Sequence, residues 1–532
     1  MTGTPPFRSR PLALGRTAAV SSPHVAASDA AIGILASGGN AVDAAVAAAA
    51  VATVVQPWSS SVAGVGWATV HRPGMPTEVL DFHGIVPEGL DPATLPAGSN
   101  RTVDWPRLER EQSPLLGSLV PGVASGWEEL QRRFGRRSLA AVLEPAAILA
   151  GNGFPVSEAL HRMIDDNRSR LVRWPASARV FLPDGEPLAV GAVLLQPDLA
   201  VTLRRLGEGG AIGFRSGPMA SAIARFYGDN GGAVTAGDLE RYEPTWLSAL
   251  EIEFRGLSVR CVPTALGDVS FAMGLRLLDA LSPFAGPTDD SYIDASVASA
   301  RLVDTVRSAS LGPRVSVREA SELLAATRWP AEPHPATTNA GGGLAEDTIT
   351  LAVVDGEGMA VNLMQTVGTF FGTGATVPGL GVLANSSLYF AMPANSGANR
   401  IVPGHGVEQN PCLATVLDRA GRLRLVVGSP GGRTRVETVR QMIVNVVDFA
   451  MTVQEAVDCP RFLAHPDGRT VEFERRYGPV DPGLRQSLEA RGHLVSDGGE
   501  AAGSGQAIAL DPASGTLMAA ADWRRESIAR AF

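Results

Sequence analysis

The spacing of apolar and β-branched residues predicts one hairpin in the second half of the chain. Residues Thr348–Val354 are rich in Thr, Ile and Val, which is typical of a strand. Asp355–Gly358 has the composition of a tight turn, and Met359–Thr366 runs back from it. Thr348 and Thr366 lie almost equally far from this turn. We therefore expect them to be opposite each other or one step apart across the hairpin.

The remaining pattern mixes helices and strands throughout the chain. Ala41–Val54 is small and apolar on every side, which predicts a helix buried between layers. Asn40 begins this helix with Asp43 three residues later, close to a capping box. Other predicted helices are 28–36, 138–149, 156–167, 199–208, 219–227, 271–281, 292–308, 436–449 and 453–456, with one more that opens in the turn 120–127 and runs to Arg133. Other predicted strands are 17–25, 79–82 and 423–427, with a hairpin over 250–262. Three further segments, 470–474, 484–491 and 506–510, complete the C-terminal part of the chain.

The amino-acid composition argues against some classes of binding partner. The chain has 532 residues, a net charge of −9 and 45% hydrophobic residues, as expected for a globular protein. It contains no dense basic run, which argues against nucleic acid and acidic membrane surfaces as partners. Its most apolar segment, Ala41–Val55, is shorter than the roughly 20 residues needed to span a bilayer.

The cysteines and the N-terminus bear on metal binding and compartment. The three cysteines, Cys261, Cys412 and Cys459, are widely spaced and offer neither a disulfide framework nor a metal-binding motif. Residues Met1–Val20 contain three Arg and no unbroken apolar core, so they make a poor secretory signal. The sequence therefore predicts a cytoplasmic protein with no metal site.

The hairpin suits nucleophilic chemistry. Thr348 follows Pro333–Asp347, a loop rich in Pro, Thr and Gly. Cleavage of the Asp347–Thr348 bond would give Thr348 a free α-amine, which titrates at about 7.7 to 8.0 and can act as base for its hydroxyl. Thr366 could then hydrogen-bond the Thr348 oxygen and fix its rotamer. The alternative for this segment is an ordinary hairpin without chemistry.

These residues resemble the γ-glutamyltransferase family of N-terminal nucleophile hydrolases. The resemblance is carried by Asp347–Thr350, with Thr366 at the position of the family's nucleophile-binding Thr. Further matching motifs are 38–45, 120–127, 353–355, 371–374 and 428–432.

The resemblance implies a fold, a cleavage and a set of catalytic groups. The fold would be a four-layer αββα sandwich. Autocleavage would give a large subunit, 1–347, and a small catalytic subunit, 348–532, which stay intertwined. Thr348 would be the nucleophile, and the backbone N–H groups of Gly431 and Gly432 would stabilise the oxyanion. Neither a metal nor an organic cofactor is needed.

Four positions depart from the family pattern for recognising a glutamyl group. His83 replaces an Arg that binds the α-carboxylate, and Gly368 replaces an Asn. The run Asn385-Ser386-Ser387 lacks the carboxylate that holds the substrate amine, and Val407–Pro411, which contains Glu408, replaces a Ser pair. His83, Gly368, Ser387 and Glu408 are the candidate substrate-binding residues. The alternative is that these positions have no binding role.

The sequence thus predicts a Thr hydrolase that cleaves a γ-glutamyl or other small-molecule amide through an acyl-enzyme. A hydrolase is favoured over a transferase because no acceptor-binding motif can be recognised. One alternative is a small-amide hydrolase or acylase of the same family that does not act on glutamyl groups, which the four departures favour. An alternative of another class is a binding or scaffold protein that has lost self-processing.

Overall fold

A computed structural model gives the structure of the chain. It describes residues 10–98, 103–281, 283–310, 316–329, 346–389, 391, 400–407, 410–465, 467–475, 479–499 and 503–532.

The described residues form helices and short strands in alternating groups. The strands are β1 Ala13–Gly15, β2 Ala19–Ser22, β3 Val65–His71, β4 Glu78–Phe82, β5 Phe154–Pro155, β6 Val193–Leu194, β7 Thr245–Ser248, β8 Leu250–Phe254, β9 Leu257–Cys261, β10 Glu346–Val354, β11 Ala360–Thr369, β12 Thr376–Val377, β13 Val382–Leu383, β14 Leu413–Leu417, β15 Leu423–Gly428, β16 Phe462–Ala464, β17 Thr470–Glu474, β18 Leu494–Gly499, β19 Gln506–Leu510, β20 Leu517–Ala521 and β21 Ile528–Ala531. The helices are α1 Val25–Ala36, α2 Ala41–Val55, α3 Trp105–Glu111, α4 Val123–Phe134, α5 Leu139–Asn152, α6 Glu158–Asp166, α7 Arg168–Leu171, α8 Pro175–Phe181, α9 Pro197–Gly209, α10 Ile212–Arg215, α11 Pro218–Asp229, α12 Ala236–Arg241, α13 Ser270–Asp279, α14 Asp290–Ser310, α15 Val317–Ala326, α16 Arg435–Val447, α17 Val453–Asp458 and α18 Pro482–Ala490.

Two seven-stranded antiparallel sheets form the centre of the molecule. One has the order β21-β2-β10-β11-β3-β4-β7, and the other has the order β1-β20-β19-β15-β14-β9-β8. Helix α2 packs on β10 and β11 of the first sheet, whereas α16 and α17 pack on β15, β19 and β20 of the second. Small and branched side chains such as Ala352, Val426 and Ile508 fill the space between the sheets. The predicted αββα sandwich is confirmed.

The chain segments before and after Thr348 share both sheets. In the first sheet, β10 pairs with β2 and β11 pairs with β3, and both partners come from the N-terminal segment. In the second sheet, β14 pairs with β9 across the same division. Two subunits produced by cleavage at this point would therefore be held together by interstrand hydrogen bonds and a common core.

Helix α2 is tied directly to the hairpin turn. All 15 of its residues are buried, and Asn40 and Asp43 form the predicted capping box. The Asp355 carboxylate accepts hydrogen bonds from the N–H groups of Ala41 (2.9 Å), Glu357 (3.0 Å) and Met359 (3.1 Å). One side chain thus shapes the turn and caps the helix, which fixes the hairpin against the helical layer.

The first strand and helix differ in length from the sequence prediction. The strand ends at Ser22, and α1 begins at Val25, three residues earlier than predicted. The reason is that His24 acts as N-cap, with its Nδ1 accepting a hydrogen bond from the Ala26 N–H at 3.1 Å. Among the described residues, no helix is long and apolar enough to cross a membrane.

Candidate active site

Thr348 lies near the start of β10, where the pairing with β11 is irregular. Asp347 pairs with Gly368 and Ile349 pairs with Gln365, so two residues of β11, Thr366 and Val367, face the single residue Thr348. Such a bulge twists the strands locally and redirects a side chain. Thr348 is only 1% exposed. The predicted proximity of Thr348 and Thr366 is therefore confirmed.

Next to Thr366, the backbone of β11 has a conformation at Gly368 that favours glycine. The Thr366 hydroxyl accepts a hydrogen bond from the Gly368 N–H at 2.9 Å. Gly368 has a φ of +95°, and a Cβ at this position would lie 2.7 Å from the Ser386 Oγ. A side chain as large as Asn cannot be placed here without moving that loop. The role of Gly368 in this structure is to allow the close approach of the backbone.

The Gly431-Gly432 turn precedes the N-terminus of α16. Gly431 has a φ of +119° and Gly432 a φ of +53°, and a short 3₁₀ turn, Gly432–Thr434, leads directly into the helix. A Cβ on Gly431 would lie 2.7 Å from the Gly503 Cα, so only glycine fits. Free N–H groups at the start of a helix carry partial positive charge and suit an oxyanion.

Arg435 joins this turn to Thr348, and no sequence motif predicts a role for this residue at the site. Its Nη2 donates to the Thr348 Oγ1 at 2.5 Å, and its Nη1 donates to the Asn410 Oδ1 at 2.7 Å. Asn410 in turn donates from Nδ2 to the Gly432 carbonyl oxygen at 2.7 Å. The predicted helix begins at residue 436, whereas α16 begins at Arg435, where the helix dipole disfavours a cation.

The loop after β13 lies beside the same end of the first sheet. The Ser386 Oγ accepts from the Thr369 N–H at 3.0 Å, which holds this loop against β11. Asn385 donates from Nδ2 to the carbonyl oxygens of Ala63 (3.0 Å) and Leu119 (2.9 Å). The Asn385 amide is therefore used to hold backbone segments together. Ser387 is buried in this loop.

His83 is also at this end of the sheet. It follows β4, whose last residue, Phe82, pairs with Gly66 of β3, next to the Val65 that pairs with Thr366. The imidazole stacks on Trp67 with a centroid separation of 4.3 Å and an interplanar angle of 13°. His83 is 3% exposed. This packing fixes the ring in one orientation.

The structure thus brings most of the predicted site residues to one place. Thr348, Thr366, Gly431 and Gly432 surround the start of β10, and His83, Gly368 and Ser387 flank it. Glu408 lies outside the described residues. Among the described side chains, no group of three or more His, Cys, Asp or Glu is arranged to hold a metal ion.

Comparison with known proteins agrees with this geometry. The sequence model of the gamma-glutamyltranspeptidase family matches residues 27–532. The chain belongs to this family.

Two curated relatives and one solved structure resemble the chain over almost its full length. It is 31% identical to the Acylase ACY 1 proenzyme of Pseudomonas sp. (strain V22), over 97% of this chain and 93% of the relative. It is 28% identical to the Glutathione hydrolase proenzyme of Bacillus subtilis (strain 168), over 97% of this chain and 92% of the relative. The crystal structure of cephalosporin acylase from Bacillus halodurans superposes with a TM-score of 0.86 at 25% identity, covering 100% of this chain and 99% of that one.

Family membership confirms several of the sequence predictions. The gamma-glutamyltranspeptidase family and the N-terminal nucleophile hydrolase fold are confirmed, and the chain is an amidohydrolase. Both curated relatives are proenzymes. The roles of individual residues in this chain, and the division at Thr348, stay predictions.

Proposed function

We propose that Thr348 is the nucleophile of a self-processing amidohydrolase. The observation that supports this most strongly is the position of the Thr348 hydroxyl, which is buried at a strand bulge and linked through Arg435 and Asn410 to the Gly431-Gly432 turn. An ordinary structural threonine requires no such connection to a helix N-terminus. The proposal assigns both self-cleavage and substrate turnover to this hydroxyl.

The first reaction is cleavage of the chain between Asp347 and Thr348. The Thr348 oxygen attacks the Asp347 carbonyl carbon, the C–N bond breaks, and the hydroxyl proton ends on the Thr348 nitrogen. Water then hydrolyses the resulting ester, which returns a proton to the Thr348 oxygen. The products are a large subunit, 1–347, and a small subunit, 348–532, with a new α-amine on Thr348.

In turnover the same oxygen attacks the carbonyl carbon of a small amide. The Thr348 α-amine accepts the hydroxyl proton and delivers it to the leaving amine as the C–N bond breaks. The N–H groups of Gly431 and Gly432 stabilise the negative charge on the carbonyl oxygen, and Thr366 keeps the nucleophile in position. Water then takes the acyl group from Thr348. No step requires a metal or an organic cofactor.

We further propose that the preferred acyl group lacks an α-ammonium group. The segment that would carry an ammonium-binding carboxylate, residues 376–389, contains neither Asp nor Glu. Its Asn385 is occupied by the backbone of Ala63 and Leu119. An ammonium group placed against this wall would lose water without gaining an anionic partner there. This favours acylase activity over glutathione hydrolysis.

A pair of chromogenic amides that differ in one group tests the acyl preference. We expect kcat/KM for glutaryl-p-nitroanilide to exceed that for γ-glutamyl-p-nitroanilide by about tenfold or more, because the two acyl chains differ only in the α-amine. Valeryl-p-nitroanilide, which lacks the terminal carboxylate as well, is the control for recognition of that carboxylate. A higher kcat/KM for the γ-glutamyl compound would refute the acyl preference and leave the role of Thr348 untouched.

The compartment is a separate matter. The cytoplasmic location predicted from the N-terminal residues stays a prediction.

A further inference from the structure

Arg435 is a buried cation at a position that normally disfavours one. It is the first residue of α16 and is 3% exposed. The start of a helix carries partial positive charge, and removal of a guanidinium from water is costly unless its N–H groups are well bonded. A guanidinium in this position therefore needs a specific reason.

The guanidinium reaches three acceptor atoms on two residues with its two terminal nitrogens. Nη2 donates to the Thr348 Oγ1 at 2.5 Å, and Nη1 donates to both the main-chain oxygen (3.1 Å) and the Oδ1 (2.7 Å) of Asn410. The planar fork of Arg can bond two residues at once in this way, which the single ammonium of Lys cannot do with the same geometry. Asn410 also bonds the Gly432 carbonyl oxygen, so the arrangement fixes the nucleophile relative to the oxyanion turn.

We propose that Arg435 is a catalytic residue that stabilises negative charge on the Thr348 oxygen. This proposal rests on the assignment of Thr348 as nucleophile. Arg stays protonated, so it cannot remove the hydroxyl proton. It donates to a lone pair of Oγ1, which leaves the hydroxyl proton directed toward the base.

The benefit of this contact grows during the reaction. As the proton leaves Oγ1, the oxygen becomes more negative and its hydrogen bond to a cation strengthens. An interaction that is stronger in the transition state than in the ground state raises kcat. The same oxygen regains negative charge when the acyl-enzyme ester is hydrolysed. One contact therefore serves self-cleavage, acylation and deacylation.

Substitution of Arg435 tests the proposal with two independent rates. Arg435→Gln should slow self-cleavage of freshly synthesised chain by about 100-fold, as measured by intact mass over time. Loss of one such hydrogen-bond donor typically lowers a catalytic rate by a factor of about 10² to 10³. In protein that has been processed, kcat for glutaryl-p-nitroanilide should fall by a similar factor, while KM stays within about threefold of the wild-type value. Arg435→Lys should recover part of both rates, because the charge remains.

Chemical rescue and a matched control separate chemistry from folding. Arg435→Ala should be accelerated several-fold by added guanidinium at concentrations well below those that unfold the protein. Arg440→Gln removes another buried Arg of α16, which bonds Ser299 and Ser296 and not Thr348. This control should lower thermal stability and show no response to guanidinium.

Three results would overturn the proposal. The first is wild-type self-cleavage and turnover in Arg435→Gln. The second is a rise in KM with unchanged kcat, which would make Arg435 a substrate-binding residue. The third is a folded but inactive Arg435→Ala protein that added guanidinium does not reactivate, together with an Arg435→Lys protein that is equally inactive. In each case, cleavage of the wild-type chain before Thr348 would still support the proposed function.

Discussion

Thr348→Ala is expected to remain a single 55.3 kDa chain and to lose amidase activity by about 10⁴-fold or more. The substitution removes the hydroxyl oxygen to which both reactions are assigned, so neither the self-cleavage ester nor the acyl-enzyme can form on this residue. Thr348→Ser keeps a hydroxyl and should cleave itself more slowly than the wild type. Both variants are measured by intact mass and by p-nitroaniline release.

Thr350→Val is the matched control for the loss of this hydroxyl. Thr350 is a buried residue on the same strand, two positions from Thr348 and therefore on the same face of the sheet. The substitution removes a strand hydroxyl and keeps the branched shape. It should leave the rate of self-cleavage close to that of wild type. A Thr348→Ala protein that still processed itself at the same bond would exclude Thr348 as the nucleophile.

Asp522→Ala is expected to lower the free energy of unfolding by about 3 to 5 kcal/mol, because it takes the carboxylate away from the buried Arg461, whereas Arg524 keeps its ion pair with Glu474. The Asp522 carboxylate accepts from the Arg461 Nη2 at 2.7 Å and from the Arg524 Nη1 at 3.1 Å. It also accepts from the Gly505 N–H at 2.7 Å, close to the Gly503 that packs under Gly431. The midpoint of denaturant unfolding measures the effect.

This stabilisation has a defined dependence on pH. Burial by itself raises the pKa of Asp522, but the positive charges of Arg461 and Arg524 outweigh it and hold the pKa below its usual range. A carboxyl whose pKa is lower in the folded than in the unfolded state stabilises the protein fully at pH values above its unfolded-state pKa of about 3.9. This stabilisation is lost as the pH falls through the folded-state pKa. The difference between wild type and Asp522→Ala should therefore narrow below about pH 4.

An exposed ion pair provides the comparison for Asp522. Glu111 pairs with Arg107 at 2.8 Å, and about half of each side chain is exposed. Glu111→Ala should scarcely change the unfolding midpoint, because water and salt screen such a pair. An equal effect of the two substitutions would contradict the structural role assigned to the buried Asp522 cluster.

The hairpin of β10 and β11 could be predicted because local chemistry determines it. Its β-branched strands and its Asp-Gly turn indicate the same structure, and the Asn40 capping box is equally local. The bulge opposite Thr348 could not be predicted. It depends on how β11 also pairs with β3 and on the close approach of Ser386 to Gly368, both of which are tertiary contacts.

Two strands, β20 and β21, cannot be recognised from the sequence because their residues have a low preference for strands. β20 has the sequence Leu-Met-Ala-Ala-Ala and β21 has Ile-Ala-Arg-Ala, and Ala is depleted in strands. Their positions in the two central sheets supply the pairing partners that their own residues do not predict. β14 was missed for a different reason, since its five buried residues show no alternation of apolar and polar positions.

The candidate site likewise contains residues that local sequence motifs predict and residues that only tertiary folding brings together. The proposed nucleophile, Thr348, and the glycines of the proposed oxyanion turn lie in short motifs that the sequence displays directly. Arg435 lies 87 residues from Thr348 and Asn410 lies 25 residues from Arg435, so only folding brings these side chains together. The sequence could indicate what reaction the site supports, but not how its nucleophile is held.

Intact-mass measurement of the purified wild-type chain, with N-terminal sequencing of its fragments, is the decisive experiment for Thr348 as a self-processing nucleophile. We expect two chains that remain associated, the smaller beginning Thr-Ile-Thr-Leu at Thr348. A single 55.3 kDa chain that persists after days of incubation would rule out self-cleavage before Thr348, as would a fragment that begins at another residue.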